Sequence, residues 1–334
     1  MKQPLKISIA MCTFNGERFL REQLESFETQ TRLPDEVIIG DDCSTDGTLE
    51  ILQNWARSVP FRVEIIQNPQ NLGYEKNFEN VMLRCSGEVI FPADQDDVWL
   101  PEKLERMVRV FEEEPDVGVV YCGRTLIDQE GKPLSERVTE LFKIYHPVDS
   151  SYFLADQAEE HPDCAGCMSA VRKSVVEKLF PFPAPWAHDT WVFTMAPFHT
   201  RMKTLKVPLM RFRRHTTNAS ALGREPDWAN GRNVYYLTSV GQFRFHAPLA
   251  EDLRKHFAAM PDCGYKTRYL RYLDRQKRHF GRRVRVQDHF LTCFWLAFWE
   301  LLRGGYFQHQ QPIRSFLFDL KEGLAGLFRS GSRF

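Results

Sequence analysis

Glu88-Val89-Ile90-Phe91-Pro92-Ala93-Asp94-Gln95-Asp96-Asp97-Val98-Trp99-Leu100-Pro101-Glu102-Lys103-Leu104 is the stretch on which the reading of this chain turns. An apolar strand, Glu88–Pro92, runs into a loop dense in carboxylates. A helix follows, opened by Pro101 and continued through Glu102–Glu114 with Leu104, Met107, Val108 and Phe111 on its apolar face. Carboxylates packed this closely repel one another and stay ionised in a loop when solvent, hydrogen-bond donors or a cation compensates. Asp94 and Asp96, two residues apart at a strand end, can set their oxygens around one hard divalent ion, magnesium or manganese. Such an ion keeps waters and takes further oxygens from a diphosphate. The plainer alternative is a capped turn, with Asp97 capping the helix near Pro101.

The same grammar of strand, loop and helix recurs upstream. Lys6–Cys12, Glu36–Gly40, Phe61–Gln67 and, further on, Val117–Cys122 read as strands. Phe19, Leu20, Leu24 and Phe27 fall at helical spacing, as do Leu49, Ile51, Leu52 and Trp55 after the turn Ser44-Thr45-Asp46. Strands alternating with amphipathic helices predict a parallel α/β sheet of the nucleotide-binding kind. Its ligand loops lie at the strand C-termini, here Thr13–Gly16, Asp41–Gly47, Asn68–Lys76 and Asp94–Asp97. Residues 123–165 lose the periodicity and read as an insertion or substrate loop, with a hairpin-like turn at Gly131-Lys132-Pro133. A helix at Arg172–Leu179, a helix opened by His188-Asp189-Thr190-Trp191 and a strand at Lys203–Arg213 follow; the remainder reads as mostly helical.

Taken in order, Thr13-Phe14-Asn15-Gly16, Ile38–Thr48 with its Asp41-Asp42-Cys43-Ser44-Thr45-Asp46-Gly47 core, Asn71-Leu72-Gly73 and Asp94-Gln95-Asp96-Asp97-Val98-Trp99 resemble the family 2 glycosyltransferases. The likeness is close over residues 5–122 and looser to about residue 220. The D-Q-D-D-x-W form looks most like the rhamnosyltransferase-like branch. The resemblance implies an α/β fold of the GT-A type, a mixed nucleotide-sugar-binding sheet flanked by helices, followed here by a helical C-terminal extension. It divides the chain into a nucleotide-sugar half (1–122), an acceptor half carrying the base (123–225) and a basic, aromatic region (226–334).

Carried over residue by residue, the resemblance implies that Thr13 and Asp42 line the base and ribose, with Asn15 and Gln95 beside the donor. Asp94 would meet the ribose or the metal, Mn2+ or Mg2+, and Asp96 would be the main metal ligand. Lys76 and Asn77 would reach the donor's phosphates or sugar, or else belong to a solvated helix face. Cys43 stands where the family usually has glycine or asparagine. Inverting transfer needs a carboxylate to take the acceptor hydroxyl's proton, and His188-Asp189-Thr190-Trp191 resembles the family's acidic motif, which nominates Asp189; read alone, Asp189 is a helix cap. His188, Trp191, Trp99 and the segment Ala165-Gly166-Cys167 would line the sugar or acceptor pocket. Arg213-Arg214-His215-Thr216-Thr217-Asn218 resembles a late R-x-H-x-x-N loop in which His215 completes the metal shell or meets the diphosphate and Arg214 supplies positive charge.

Composition bounds the rest. With 334 residues, 43% of them apolar, the chain has ample material for a core. Its 44 basic and 44 acidic residues conceal an asymmetry: residues 1–150 hold 16 basic and 28 acidic side chains. From Arg254 to Arg285 there are 11 basic residues and two acidic ones, directly before the aromatic run Phe290–Trp299. Two readings stand for this region: an interfacial anchor on an anionic membrane surface, or a helical subdomain packed on the core or on a second copy of the chain. The longest apolar stretch, Phe290–Leu302, is short of the roughly 20 residues that span a bilayer. Eight scattered cysteines fit reduced cytoplasmic thiols, with Cys164 and Cys167 forming an isolated C-x-x-C. No nucleic-acid motif accompanies the basic charge. A G-x-G-x-x-G after the first strand is lacking, which disfavours a dehydrogenase, and Thr13–Glu17 carries no basic phosphate loop of the nucleotidyltransferase sort.

The expected activity is therefore metal-dependent inverting transfer of a sugar, rhamnose or another hexose, from a dTDP- or UDP-linked donor to a glycan or lipid-linked glycan, in the cytoplasm or at the inner face of the cell membrane. A UDP-hexose transferase with another acceptor, and a non-catalytic glycan-binding protein on the same fold, are the alternatives.

Overall fold

The computed structural model describes residues 3–134, 165–183, 187–215 and 218, with helical residues within 251–259 and 267–278. The chain divides into one unit of Met1–Tyr145 and Asp149–Ala229 and another of His146–Val148 and Asn230–Phe334.

In the first unit, β1 (Ile7–Thr13), β2 (Glu36–Asp41), β3 (Arg62–Gln67), β4 (Val89–Ala93), β5 (Val98–Trp99), β6 (Val117–Ile127), β7 (Ser169–Arg172) and β8 (Arg201–Arg213) form one sheet in the order β3-β2-β1-β4-β7-β6-β8-β5. The described helices of this unit are α1 (Glu17–Glu28), α2 (Thr48–Ala56), α3 (Tyr74–Arg84), α4 (Lys103–Glu113), α5 (Lys173–Leu179) and α6 (His188–Met195). Strands β1 to β4 run parallel. β7 is antiparallel to β4 and β6, while β8 is parallel to β6 and antiparallel to β5. Pro92, which has no N–H to donate, lies beyond the two residues of β4 that pair with β7.

The order itself locates the site. The chain winds from β1 outward to β3, then returns to place β4 on the other side of β1. The loops leaving β1 and β4 part in opposite directions there and open a crevice at their C-terminal ends. Thr13–Gly16 and Asp94–Asp97 are those loops.

Every residue of β1 and β2 is buried, as strands covered on both faces require. α1 contributes Phe19, Leu20, Leu24 and Phe27 to the core. The Phe27 ring lies 4.8 Å from Trp99 and 6.2 Å from Trp55, and burying such a ring stabilises the fold by about 2–3 kcal/mol.

The first four strands match the sequence reading to within one residue at each end. Two differences and one agreement stand out. β6 continues to Ile127, through residues read as loop, by kinking its register on either side of Gly123. β5 and β7 span two and four residues, too few to show a period. The turn at Gly131 is formed, with Asp128 N–H donating to Lys132 O and Gly131 at φ 80°. Residues 135–164, including Cys164, lie outside the described residues, as does the aromatic run after residue 278. Cys12, Cys43, Cys85, Cys122 and Cys167 are free thiols.

In the second unit, Leu253, Phe257, Tyr269, Tyr272 and Leu273 are buried, with the Phe257 and Tyr269 rings edge to face at 4.4 Å. Two cations of the basic segment are paired locally, Arg254 with Asp274 at 2.6 Å and Lys277 with Glu251 at 2.7 Å. Among the described residues no helix is long and apolar enough to cross a membrane.

Candidate functional site

Four loops meet at the C-terminal ends of β1, β2, β3 and β4, and their carboxylates do different work. Asp41, the last residue of β2, accepts from Thr13 Oγ1 at 2.9 Å and from Ser44 Oγ at 2.6 Å, which ties β1 to the turn ahead of α2. Asp42 is buried, and its carboxylate accepts from Leu72 N at 2.8 Å, Gly73 N at 2.9 Å and Asn68 Nδ2 at 2.9 Å. A carboxylate offers about four acceptor positions, so Asp42, expected against the base and ribose, is mostly engaged in shaping the Asn71-Leu72-Gly73 turn. Gly73 takes φ 80° there, a backbone angle that disfavours other residues.

Asn77, expected to reach the donor, is buried instead. It donates to Gly40 O at 2.8 Å and accepts from Asn68 Nδ2 at 3.0 Å, bracing the Asp42 turn from α3. Lys76 is half-exposed and pairs with Glu79 at 2.9 Å. Asn15 sits at φ 48° and accepts from Thr45 N at 2.8 Å, while Cys43 takes φ 67°, the left-handed angle that glycine or asparagine adopts more readily.

Gln95 grips Phe14 from the opposite loop, accepting from Phe14 N at 2.8 Å and donating to Phe14 O at 3.0 Å. The two loops flanking the crevice are thereby one construction. Phe14 and Tyr74 are the large apolar side chains left exposed beside it.

The D-Q-D-D loop divides its acids between two places. Asp96 Oδ2 lies 2.8 Å from His215 Nε2 and accepts from Asn218 Nδ2 at 3.1 Å, and Asn218 Oδ1 in turn accepts from His215 N at 2.7 Å. Asp94 turns inward: among the described residues, the metal-ligating atoms lying within 4.8 Å of one another belong to Asp94, Asp97 and Cys167. The expected ligand set of Asp94, Asp96 and His215 thus separates into an Asp96–His215 pair and an Asp94–Asp97–Cys167 cluster. Burial, with the negative charge of Asp97 and Asp96, raises the Asp94 carboxyl well above its usual range. Burial and Asp96 push Asp97 up to about 7. Asp97 does not cap the helix; its Oδ1 accepts from Arg213 N at 3.0 Å, and among the described residues its buried Oδ2 has no hydrogen-bond partner.

Arg213 fastens this loop. Its fully buried guanidinium donates to Asp96 O at 2.9 Å, Gln129 O at 3.2 Å and Glu22 Oε2 at 2.5 Å, and lies 4.9 Å from the Phe19 ring, on which His215 also packs at 4.6 Å. Arg214 is buried against Phe212, and burial, with Arg124 nearby, lowers its guanidinium to about 10.

Across the crevice, α6 begins at His188 with Ala187 as its cap, so Asp189 stands in the first turn. Its Oδ2 accepts from Gly166 N at 3.2 Å and its Oδ1 from Thr190 N at 2.6 Å. His188 is buried and stacked on Phe78 at 3.9 Å, and desolvation lowers its pKa. A Cβ at Gly166 would overlap the His188 ring, so only glycine fits. The Tyr74 hydroxyl has its pKa raised, chiefly by desolvation, with the negative charge of Glu75, Asp189 and Asp94 acting in the same sense. Trp99 and Trp191, expected in the pocket, are core residues: Trp99 packs on Phe27 and Phe91, and Trp191 donates to Leu179 O at 3.0 Å.

The sequence reading quotes Arg213 and Asn218 as the ends of the R-x-H-x-x-N loop without giving either a role, and it assigns none to Tyr74 or Lys103. Lys103 alone left a clear trace, one turn before Met107 on the apolar face of α4.

The profile described as "Glycosyl transferase family 2" matches residues 8–180. An uncharacterized glycosyltransferase of Nostoc sp. is 30% identical over 64% of this chain and 66% of its own length; the putative teichuronic acid biosynthesis glycosyltransferase TuaG of Bacillus subtilis is 29% identical over 39% and 51%. The chain spans two thirds or less of these relatives. Among solved structures, S. aureus TarS 1-349 in complex with UDP-GlcNAc superposes with a TM-score of 0.55 at 20% identity, covering 83% of this chain and 73% of that one. The mannosyltransferase PcManGT of Pyrobaculum calidifontis, in complex with GDP-Man and Mn2+, gives 0.54 at 15% identity over 100% and 77%. These structures share the mixed sheet flanked by helices, the GT-A arrangement. With more than half its length under the family profile and that fold around its acidic crevice, the chain belongs to the family 2 glycosyltransferases.

Proposed function

We propose that this glycosyltransferase moves a hexose from a nucleotide sugar to a hydroxyl of a growing cell-surface polysaccharide, with inversion and with Asp189 as base. The observation that carries the reading is the arrangement of two acidic walls about one crevice: Asp94 and Asp96 at the β4 end, and Asp189 held by the Gly166 amide opposite. Asp189 takes the proton from the acceptor hydroxyl as that oxygen attacks the anomeric carbon, while the bond from that carbon to the diphosphate oxygen breaks and its electrons leave with the diphosphate. Phe14 and the Thr13–Gly16 turn, clamped by Gln95, form the floor for the nucleotide.

The acids at the β4 end fit a hard divalent cation. Burial first, and then the negative charge of neighbouring acids, raises the Asp94 and Asp97 carboxyls, and among the described residues Asp97 Oδ2 is a buried acceptor with no partner. Asp94 and Asp97, the acids that lie together, would hold Mn2+ or Mg2+, with Asp96 beside them on the His215 side of the loop; the ion's charge, when bound, would neutralise the departing diphosphate. The Mn2+ in the mannosyltransferase complex supports this.

TuaG's name supports the polysaccharide acceptor. TarS and the mannosyltransferase hold different sugar nucleotides on one fold, so pocket side chains, not the fold, choose the sugar. The D-Q-D-D-x-W form favours dTDP-rhamnose, with UDP-hexoses the alternative donors. The basic segment Arg254–Arg285 supports work on lipid-linked acceptors at the inner membrane face. A thermal-shift panel of nucleoside diphosphates and nucleotide sugars, with and without Mn2+, tests the reading: one nucleotide class should raise the Tm in a metal-dependent way. No shift with any of them would overturn it.

A further inference from the structure

Lys103 opens α4 with its side chain turned into the core, 0% exposed. Its Nζ donates to Cys167 O at 2.5 Å, lies 3.7 Å from the centre of the Trp99 ring, and is 3.7 Å from Met210 Sδ. None of these contacts is a carboxylate. A buried ammonium costs several kcal/mol to desolvate, and an apolar residue in the same space would spare that cost, so packing gives no reason for a lysine. Burial does pull its pKa down, while Cys122, Cys167, Asp97 and Asp94 act in the opposite sense.

What the ammonium holds is the turn Gly166–Met168. Cys167 O is drawn toward α4 by Lys103, and Ser169 Oγ donates to Gly166 O at 2.7 Å. The Cys167 side chain sits against Asp94 and Asp97. One residue back, Gly166 N donates to Asp189 Oδ2 at 3.2 Å, and its Cα leaves room for the His188 ring. The turn therefore touches the β4 acids through Cys167 and the α6 acid through Gly166, and Lys103 is the charged donor that fixes it.

We propose that Lys103 is a positioning residue for sugar transfer, anchoring Cys167 O so that the Gly166 amide aims the Asp189 carboxylate. The inference rests on the assignment of Asp189 as base. Lys103 reaches no donor or acceptor atom in this scheme; it acts through the turn. A misplacement of about 1 Å at a reacting group costs on the order of 100-fold in rate.

The test measures kcat, donor Kd and Tm for wild type, Lys103→Met, Lys103→Gln, Asp189→Asn and the double variant Lys103→Met/Asp189→Asn. Methionine removes donor and charge at similar volume. Glutamine keeps an N–H donor one bond shorter, and carries the test should the methionine variant fail to fold. The expected result is a 10- to 100-fold fall in kcat for Lys103→Met, a smaller fall for Lys103→Gln, donor Kd within about threefold, and Tm unchanged or raised. The double variant should be no slower than Asp189→Asn alone. Wild-type kcat in the Lys103 variants beside an inactive Asp189→Asn overturns this inference and leaves the base standing. Losses that multiply in the double variant, or donor Kd rising in step with the fall in kcat, also overturn it. Full activity in Asp189→Asn overturns the base and the inference together.

Discussion

The Asp189 carboxylate and the Gly166 amide are joined by a hydrogen bond of 3.2 Å between residues 23 apart in sequence. That contact links the first turn of α6 to the turn before β7, and so relates the acid on one wall of the crevice to the sheet that carries the other acids.

Asp42 is a loop holder, and replacing it should show as instability as well as weaker binding. Asp42→Asn turns an acceptor into a partial donor facing Leu72 N and Gly73 N, leaving a buried N–H unmatched. A loss of about 1–3 kcal/mol in urea unfolding is expected, with weaker nucleotide binding. Unchanged stability would show the turn does not depend on Asp42.

The neighbours on α3 should separate cleanly. Asn77→Ala removes two buried hydrogen bonds beneath the Asp42 turn and should cost about 1–3 kcal/mol. Lys76→Ala should leave stability unchanged and donor KM within twofold, since among the described residues Lys76 pairs with Glu79 alone. A large rise in donor KM for Lys76→Ala would restore it as a phosphate contact.

The β4 loop depends on the Arg213 fork. Lysine keeps the charge but cannot serve Asp96 O, Gln129 O and Glu22 together. Arg213→Lys should lower stability by about 2–4 kcal/mol and raise the Mn2+ concentration needed for half-maximal activity. Metal dependence identical to wild type would mean the fork supports the fold alone.

Glu36 gives a pH signature. Burial alone would raise its pKa, but hydrogen bonds from Ser8 Oγ at 2.6 Å and Ser86 N at 2.5 Å, with Arg62 at 2.6 Å, outweigh burial and hold it below its ordinary value. A carboxyl lowered in the folded state contributes stability that is full above its unfolded pKa, about 4.3, and is lost as pH falls through the folded value. Glu36→Gln should therefore be less stable than wild type at pH 7, with the gap closing below about pH 4. A gap independent of pH would contradict the assignment.

The fold and the loops that carry the candidate acids were largely legible in the sequence, because parallel strands announce themselves as apolar runs and the loops follow at their ends. The division of labour among the acids was not. Asp42 and Asn77 look like ligand groups until α3 is folded over β2 and their hydrogen bonds turn out to be internal. Trp99 follows a ligand loop but is drawn into the core by Phe27 and Phe91. Lys103 and Arg213 are charged residues on surfaces that only the sheet topology buries, as β8 comes to lie beside β6 and β5. Spacing along a chain reports periodicity within one element, and these roles depend on contacts between elements far apart in sequence.

The central claim is that Asp189 takes the proton, and the most direct measurement is the rate of nucleoside diphosphate release by Asp189→Asn in the presence of acceptor, beside its nucleotide affinity. The account predicts a kcat lower by about 100- to 10,000-fold, with nucleotide Kd and Tm close to wild type. Transfer at the wild-type rate by a folded, nucleotide-binding Asp189→Asn would contradict it.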